Sequence, residues 1–232
     1  MNVRGIYKSS LVDYPGKIAA VIFNAGCNFR CGFCHNPDLV INSHVLEKIP
    51  DDEIIRFIVS KRKFIDAVVV TGGEPTLSKD LPEFLQKIKE CGFSIKLDTN
   101  GSSPEIIEGL LSKNLLDYVA LDIKTSPKLY PKLTLSDITF DKILKTLSLI
   151  KESEIEYELR TTCIPEFINS EILEEIGKLT GIVRAYYLQQ FSISSPLLDN
   201  NYKNITPFYV DDLNNLLDVV KKFSTICSVR GI

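Results

Sequence analysis

The sequence predicts an α/β fold, an incomplete TIM-like barrel of six β/α units, (β/α)6. Three observations predict it. Short continuous apolar runs alternate with longer stretches of helical periodicity, the pattern of a parallel sheet covered by helices. Six such units fit the chain, fewer than the eight that close a TIM barrel. No composition break, low-complexity tract or repeat marks a linker, so the chain reads as one domain, 1–232, with its core at about 17–190.

The elements follow in order. Lys17–Gly26, KIAAVIFNAG, is a buried strand rich in Val, Ile and Phe. Pro50 and Asp51 open a helix through DDEIIRFIVSKRKFI, whose apolar residues recur at spacings of three and four. Asp66–Gly73, DAVVVTGG, is the next strand, and LPEFLQKIKECG the helix after it. FSIKLDTNG and LDYVALDIK are strands separated by the helix PEIIEGLLSKN. The helix DKILKTLSLIKES leads to the strand IEYELRTTCIP, and SEILEEIGKLTG leads to IVRAYYLQQ. Within 207–230, VDDLNNLLDVVKKF is a C-terminal helix and TICSVRG offers a closing strand. Two connections, Lys124–Ser136 and Ser192–Pro207, are long for this fold class. Both follow strand ends, where α/β folds place their sites, and they suit rims of an active-site mouth or plain surface loops.

Composition narrows the function classes. Hydrophobic residues make up 44% and charged residues 25% of the chain, as in ordinary globular proteins. Twenty-seven basic residues against thirty acidic give a net charge of −3, so no basic footprint points to nucleic acid. Lys61-Arg62-Lys63 reads as the solvated end of a helix. No apolar run reaches the roughly 20 residues that span a bilayer, and MNVRGIYKSS lacks the pattern of a signal peptide. The expectation is a cytoplasmic protein without a membrane partner, in a compartment where clustered cysteines mean metal or catalysis. Cys91, Cys163 and Cys227 are scattered and read as small buried hydrophobes.

Cys27, Cys31 and Cys34 lie together in GCNFRCGFCHN, directly after the first core strand. A disulfide framework, a zinc site, a redox pair and an iron–sulfur cluster all compete for them. Structural zinc wants four ligands, usually as two pairs, and the chain has only His35 and His44 and no second cysteine pair. A thioredoxin-like pair leaves Cys27 without a task. Three thiolates on a four-iron cubane leave one iron open to a small molecule, and the spacing favours that cluster over zinc.

The C-x3-C-x2-C motif, with Phe33 before its last cysteine, resembles the signature of the radical S-adenosylmethionine (radical SAM) superfamily. TGGEP, Thr71–Pro75, resembles that family's GGE motif and stands in register behind the cysteine loop. SLVDYPG, CHNP, DTNG and LDIK together resemble the activating enzymes of glycyl radical enzymes, most closely the single-domain activators of anaerobic ribonucleoside-triphosphate reductase. The likeness runs from about Lys8 to Gln190, and no familiar motif follows Phe191.

The resemblance implies a radical SAM-type fold and a set of roles. Cys27, Cys31 and Cys34 would ligate a [4Fe-4S] cluster, and S-adenosylmethionine would chelate its open iron. Gly72, Gly73 and Glu74 would meet the methionyl amino group, since close backbone approach suits glycine and an ammonium wants an acceptor. Phe33 and His35 would contact the adenine, His35 competing with simple backbone capping. Asp98, Thr99 and Asp122 would hold a monovalent cation, against the alternative that Asp98 and Asn100 form an Asx-type turn with Gly101. Asn100, Arg160 and Gln189 would reach the cofactor or support its loops, and Lys124 would pair with Asp122 or touch cofactor anions. Asp13, in the D-x-P-G element, would face the substrate or the sulfonium, or simply form a turn. The implied partners are a glycyl radical enzyme, an anaerobic ribonucleotide reductase first, and a flavodoxin or ferredoxin as electron donor. A pyruvate formate-lyase-like partner and a small-molecule substrate are the alternatives.

Overall fold

The computed structural model describes residues 1–232. Eight strands form one sheet in sequence order, and no pairing joins the first to the last, so the barrel stays open. Strand β1 (Val3–Ser10) runs antiparallel to β2 (Ala19–Asn24). From β2 onward every pairing is parallel, through β3 (Ala67–Gly72), β4 (Ser94–Thr99), β5 (Tyr118–Asp122), β6 (Glu156–Cys163), β7 (Val183–Gln190) and β8 (Ser224–Arg230). The six expected core strands are all present, and TICSVRG is an edge strand on β7 that leaves the barrel unclosed.

The sequence pattern does not announce β1. VRGIYKSS buries only Val3 fully, because an edge strand packs on one neighbour alone. It is held by its ladder to β2 and by Tyr7, whose ring meets Phe23 edge-on at 5.1 Å.

Helices cover the convex face. They are α2 (Asp51–Ser60), α3 (Leu81–Glu90), α4 (Pro104–Ser112), α6 (Phe140–Glu152), α7 (Ser170–Thr180) and α8 (Val210–Val220), with short turns α1 (Pro37–Val40) and α5 (Tyr130–Thr134) between. Helix α3 shows the logic: Leu81, Phe84, Leu85 and Ile88 fall on one stripe and are buried, while Glu83, Gln86 and Glu90 are exposed. Acidic Asp51, Asp52 and Glu53 start α2, where the helix dipole favours negative charge. No helix is long and apolar enough to cross a membrane.

Strand alternation gives the concave face two characters. Ala19, Val21, Ala67 and Val69 make an apolar half, packed by Tyr14 from the β1–β2 turn and by Tyr118. The other half is charged, carrying Lys96, Asp98, Asp122, Glu158, Arg160 and Arg230. The cavity described next opens at the C-terminal ends of the strands.

Candidate active site

A cavity of about 260 Å³ is lined by the cysteine loop and by the ends of β3 to β7. It gathers Cys27, Cys31, Cys34, Phe33 and His35 from the loop after β2. Gly72, Gly73, Asp98, Thr99, Asn100, Asp122, Lys124, Arg160 and Gln189 come from successive strand ends. Of the residues the sequence singles out, Asp13 and Glu74 do not line it.

The cysteine loop is clamped from both sides by the two long connections. The Arg30 amide donates to the carbonyl of Thr134 at 2.7 Å. On the other flank, the amides of Leu198 and Asp199 donate to the carbonyls of Cys34 and Gly32 at 3.1 and 2.9 Å. Gly32 is required there, since a Cβ would stand 2.2 Å from the Tyr202 ring. The His35 Nε2–H donates to the Ser192 carbonyl at 3.0 Å, which orients the ring at the cavity edge. The segment after Phe191, silent as a motif, is therefore part of the site's frame.

The thiols sit in a low-dielectric place. Burial pushes the Cys27 thiol up to about 11 and the Cys31 thiol up to about 12. Free thiols there stay protonated at neutral pH; only a strong positive partner such as iron holds them as thiolates. No three Cys, His, Asp or Glu side chains converge closely enough to share one metal ion. A cubane makes a different demand, one thiolate on each of three irons, and three cysteines around one cavity meet it.

The two glycines are fixed by backbone packing. A Cβ on Gly72 would lie 2.3 Å from the Asn24 carbonyl oxygen, and one on Gly73 2.0 Å from that of Gly26. The amides of Gly73 and Glu74 donate to those same carbonyls at 2.8 and 2.7 Å. The end of β3 is thus sewn to the strand that leads into the cysteines.

Glu74 is fully buried, behind the cavity wall. Its Oε1 accepts from the Thr76 amide at 3.1 Å, the Thr76 hydroxyl at 2.6 Å and the Thr99 hydroxyl at 2.8 Å. Its Oε2 accepts from the Asn100 amide at 2.6 Å. Burial nonetheless raises its pKa above the ordinary carboxylate range, against those bonds. With both oxygens engaged, the side chain ties the end of β3 to the end of β4. Asn100 makes an Asx-type turn, accepting from the Ser102 amide at 2.9 Å, and donates to Asn28 Oδ1 at 2.9 Å.

The carboxylates at the strand ends are matched by protein cations. Arg160 donates to Asp98 and Asp122, both at 2.9 Å. Lys96 lies 3.0 Å from Asp98, and Lys124 lies 2.8 Å from Asp122. Burial opposes ionisation of Asp122, yet Arg160 and Lys124 hold it at about 2. The Thr99 hydroxyl donates to Glu74 and accepts from the Gly101 amide. Three cations already meet two carboxylates here, although the buried Asp98 Oδ1 keeps no hydrogen bond.

Asp13 lies on the β1–β2 turn, at the other end of β2 from the cysteines. Its carboxylate accepts from the Ser10 hydroxyl, and its carbonyl accepts from Lys96 at 2.6 Å. It reaches the site only through Lys96. Sequence reasoning missed Lys96 and Glu158, although a charge inside the apolar runs SIKLDT and YELRTT was a usable signal. It also passed over Thr71 and Thr162, which line the cavity.

The comparisons with known proteins agree with this geometry. The family model described as the radical SAM superfamily matches residues 21–179. A Methanocaldococcus jannaschii protein, named provisionally as a glycyl-radical enzyme activating enzyme, is 36% identical over 99% of this chain and 96% of its own. The pyruvate formate-lyase-activating enzyme of Clostridium pasteurianum is 30% identical over 79% of this chain and 76% of its own. Streptococcus suis SuiB, solved with S-adenosylmethionine bound, superposes with a TM-score of 0.68 at 20% identity. That match covers 91% of this chain and 50% of SuiB, so the chain spans half of that larger protein. The chain belongs to the radical SAM superfamily and, within it, to the family of glycyl-radical enzyme activating enzymes. It is a radical SAM enzyme, and the family implies a [4Fe-4S] cluster and S-adenosylmethionine.

Proposed function

We propose that this enzyme generates a glycyl radical on a partner enzyme, an anaerobic ribonucleoside-triphosphate reductase, in the cytoplasm and with a flavodoxin or ferredoxin as electron donor. The observation that supports the reading best is the convergence of all three cysteines with the ends of five strands on one cavity. When bound and reduced, a cluster held by Cys27, Cys31 and Cys34 would supply the electron for reductive cleavage of S-adenosylmethionine, the source of the radical that would take a hydrogen atom from the partner's glycine α-carbon.

This chain's residues bind, orient and exclude water. Cys27, Cys31 and Cys34 would hold the cluster, one thiolate to an iron. The Gly72–Gly73 backbone gives close approach for the amino group of the ligand, with Glu74 fixing that turn from behind. Lys124, 5.8 Å from the Phe33 ring centre, and Arg160 present positive charge where a carboxylate would lie. His35 and Gln189 stand on the edge suited to the adenine. The chemistry needs no general acid or base, in keeping with a chain that has two histidines. The barrel is not closed between β1 and β8, and a loop of a large partner would enter its open mouth.

A pyruvate formate-lyase-like partner is the second reading, favoured by the Clostridium relative. The test mixes the anaerobically reconstituted enzyme, a reductant and S-adenosylmethionine with each partner in turn. A glycyl radical doublet in electron paramagnetic resonance (EPR) on the reductase supports the first reading. A doublet on the lyase alone replaces it, and none on either overturns both.

A further inference from the structure

Tyr130 carries a hydroxyl whose proton has no acceptor in the chain. Its side chain is 1% exposed. The comparable buried tyrosines are satisfied: Tyr186 pairs with the Thr161 hydroxyl at 2.7 Å and Tyr118 donates to Glu158 at 3.0 Å. Leaving a buried hydroxyl unsatisfied is destabilising. Phenylalanine would fill the same space without that cost.

The ring packs against the cysteine loop. Tyr130 opens α5 and packs edge-on against Phe29, between Cys27 and Cys31, at 6.0 Å between ring centres. Phe140 holds its other side at 5.2 Å. The Arg30–Thr134 backbone bond pins the cysteine loop to the same short helix. Burial first, then the neighbouring Cys31 thiol and Asp122 carboxyl, push the phenol's pKa up, against the Lys124 amide that stands close enough to donate to its oxygen. It is a donor with no acceptor, beneath a loop built to hold anionic sulfur.

We propose that the Tyr130 hydroxyl donates a hydrogen bond to anionic sulfur at the Cys31 corner of the cluster, either the thiolate or an adjoining sulfide, and so raises the cluster's reduction potential. The reduced cluster carries one more negative charge, so a donor to its sulfur stabilises that state more than the oxidised one. Tyr130 is then a positioning residue that sets how readily the donor's electron is accepted. The proposal rests on the radical SAM reading, and its test separates the two.

The test is Tyr130→Phe in the anaerobically reconstituted enzyme, with Tyr186→Phe as control, read by iron and sulfide content, midpoint potential and hyperfine spectroscopy in D2O. The expected result is a full cluster in both variants, with the potential moved negative in Tyr130→Phe alone. The exchangeable deuteron coupled to the reduced cluster is lost in that variant and kept in the control. An intact cluster with unchanged potential and unchanged deuteron coupling overturns the proposal and leaves the radical SAM reading standing. No cluster in the wild-type protein overturns both. If Tyr130→Phe does not fold, wild-type protein in D2O still decides, since absence of an exchangeable deuteron coupling contradicts the bond.

Discussion

The Asn100 amide donates to Glu74 Oε2 at 2.6 Å, and that bond joins the ends of β3 and β4 behind the cavity wall. Three further donors converge on the same carboxylate. Glu74 therefore acts on the site through the backbone it holds. Glu74→Ala is expected to lose about 2–3 kcal/mol of stability, from donors left unsatisfied in the interior. Urea unfolding of cofactor-free protein measures it; an unchanged midpoint would mean the carboxylate serves only a ligand.

The C-terminal strap makes a second test. Gly32→Ala drives a methyl group into the Tyr202 ring, with an expected cost of about 1–3 kcal/mol. Tyr202→Ala removes the obstacle, so the double variant should recover most of the Gly32→Ala penalty. A double-mutant cycle by chemical denaturation reads the coupling. Strict additivity of the two effects would show that the strap does not press on the cysteine loop.

Lys96 lies within 4 Å of two buried carboxylates, 3.0 Å from Asp98 and 3.9 Å from Glu158. Its side chain is almost wholly buried. Lys96→Met keeps the length and removes the charge, and breaking such a buried pair costs about 3–5 kcal/mol. Thermal unfolding of the variant should show a large drop. Replacement without loss would mean that Arg160 and Arg230 alone neutralise this face.

Acid should undo the Asp122 contribution in a defined window. Its folded pKa of about 2 lies below the unfolded 3.8, so the stabilisation is present above about 4 and is lost as pH falls toward 2. The difference is worth about 2 kcal/mol at neutral pH. The stability gap between wild type and Asp122→Asn should therefore close between about pH 4 and pH 2. A gap that stays constant across that range contradicts the Arg160 and Lys124 pairing.

Much of the site was legible because its signals are local. Three cysteines within eight residues, a double glycine and acidic strand ends are set by spacing along the chain, and they meet in one cavity. The parallel strands were legible for the same reason, being continuous apolar runs. Strand β1 was not, because an edge strand buries little and shows no alternation. Glu74 stands behind the cavity wall, where four donors from the turn and strand after it hold its carboxylate. Tyr130 and the Leu198–Tyr202 strap touch the cysteine loop from about 100 and 170 residues away, a relation that periodicity does not carry.

The most direct test of the central claim is S-adenosylmethionine cleavage by anaerobically reconstituted enzyme under reducing conditions, compared with Cys31→Ala. The expected result is about four irons and four sulfides per wild-type chain, with methionine and 5′-deoxyadenosine formed. The variant should lose both cluster absorbance and cleavage. One zinc per chain with no iron or sulfide, or undiminished cleavage by Cys31→Ala, would contradict it.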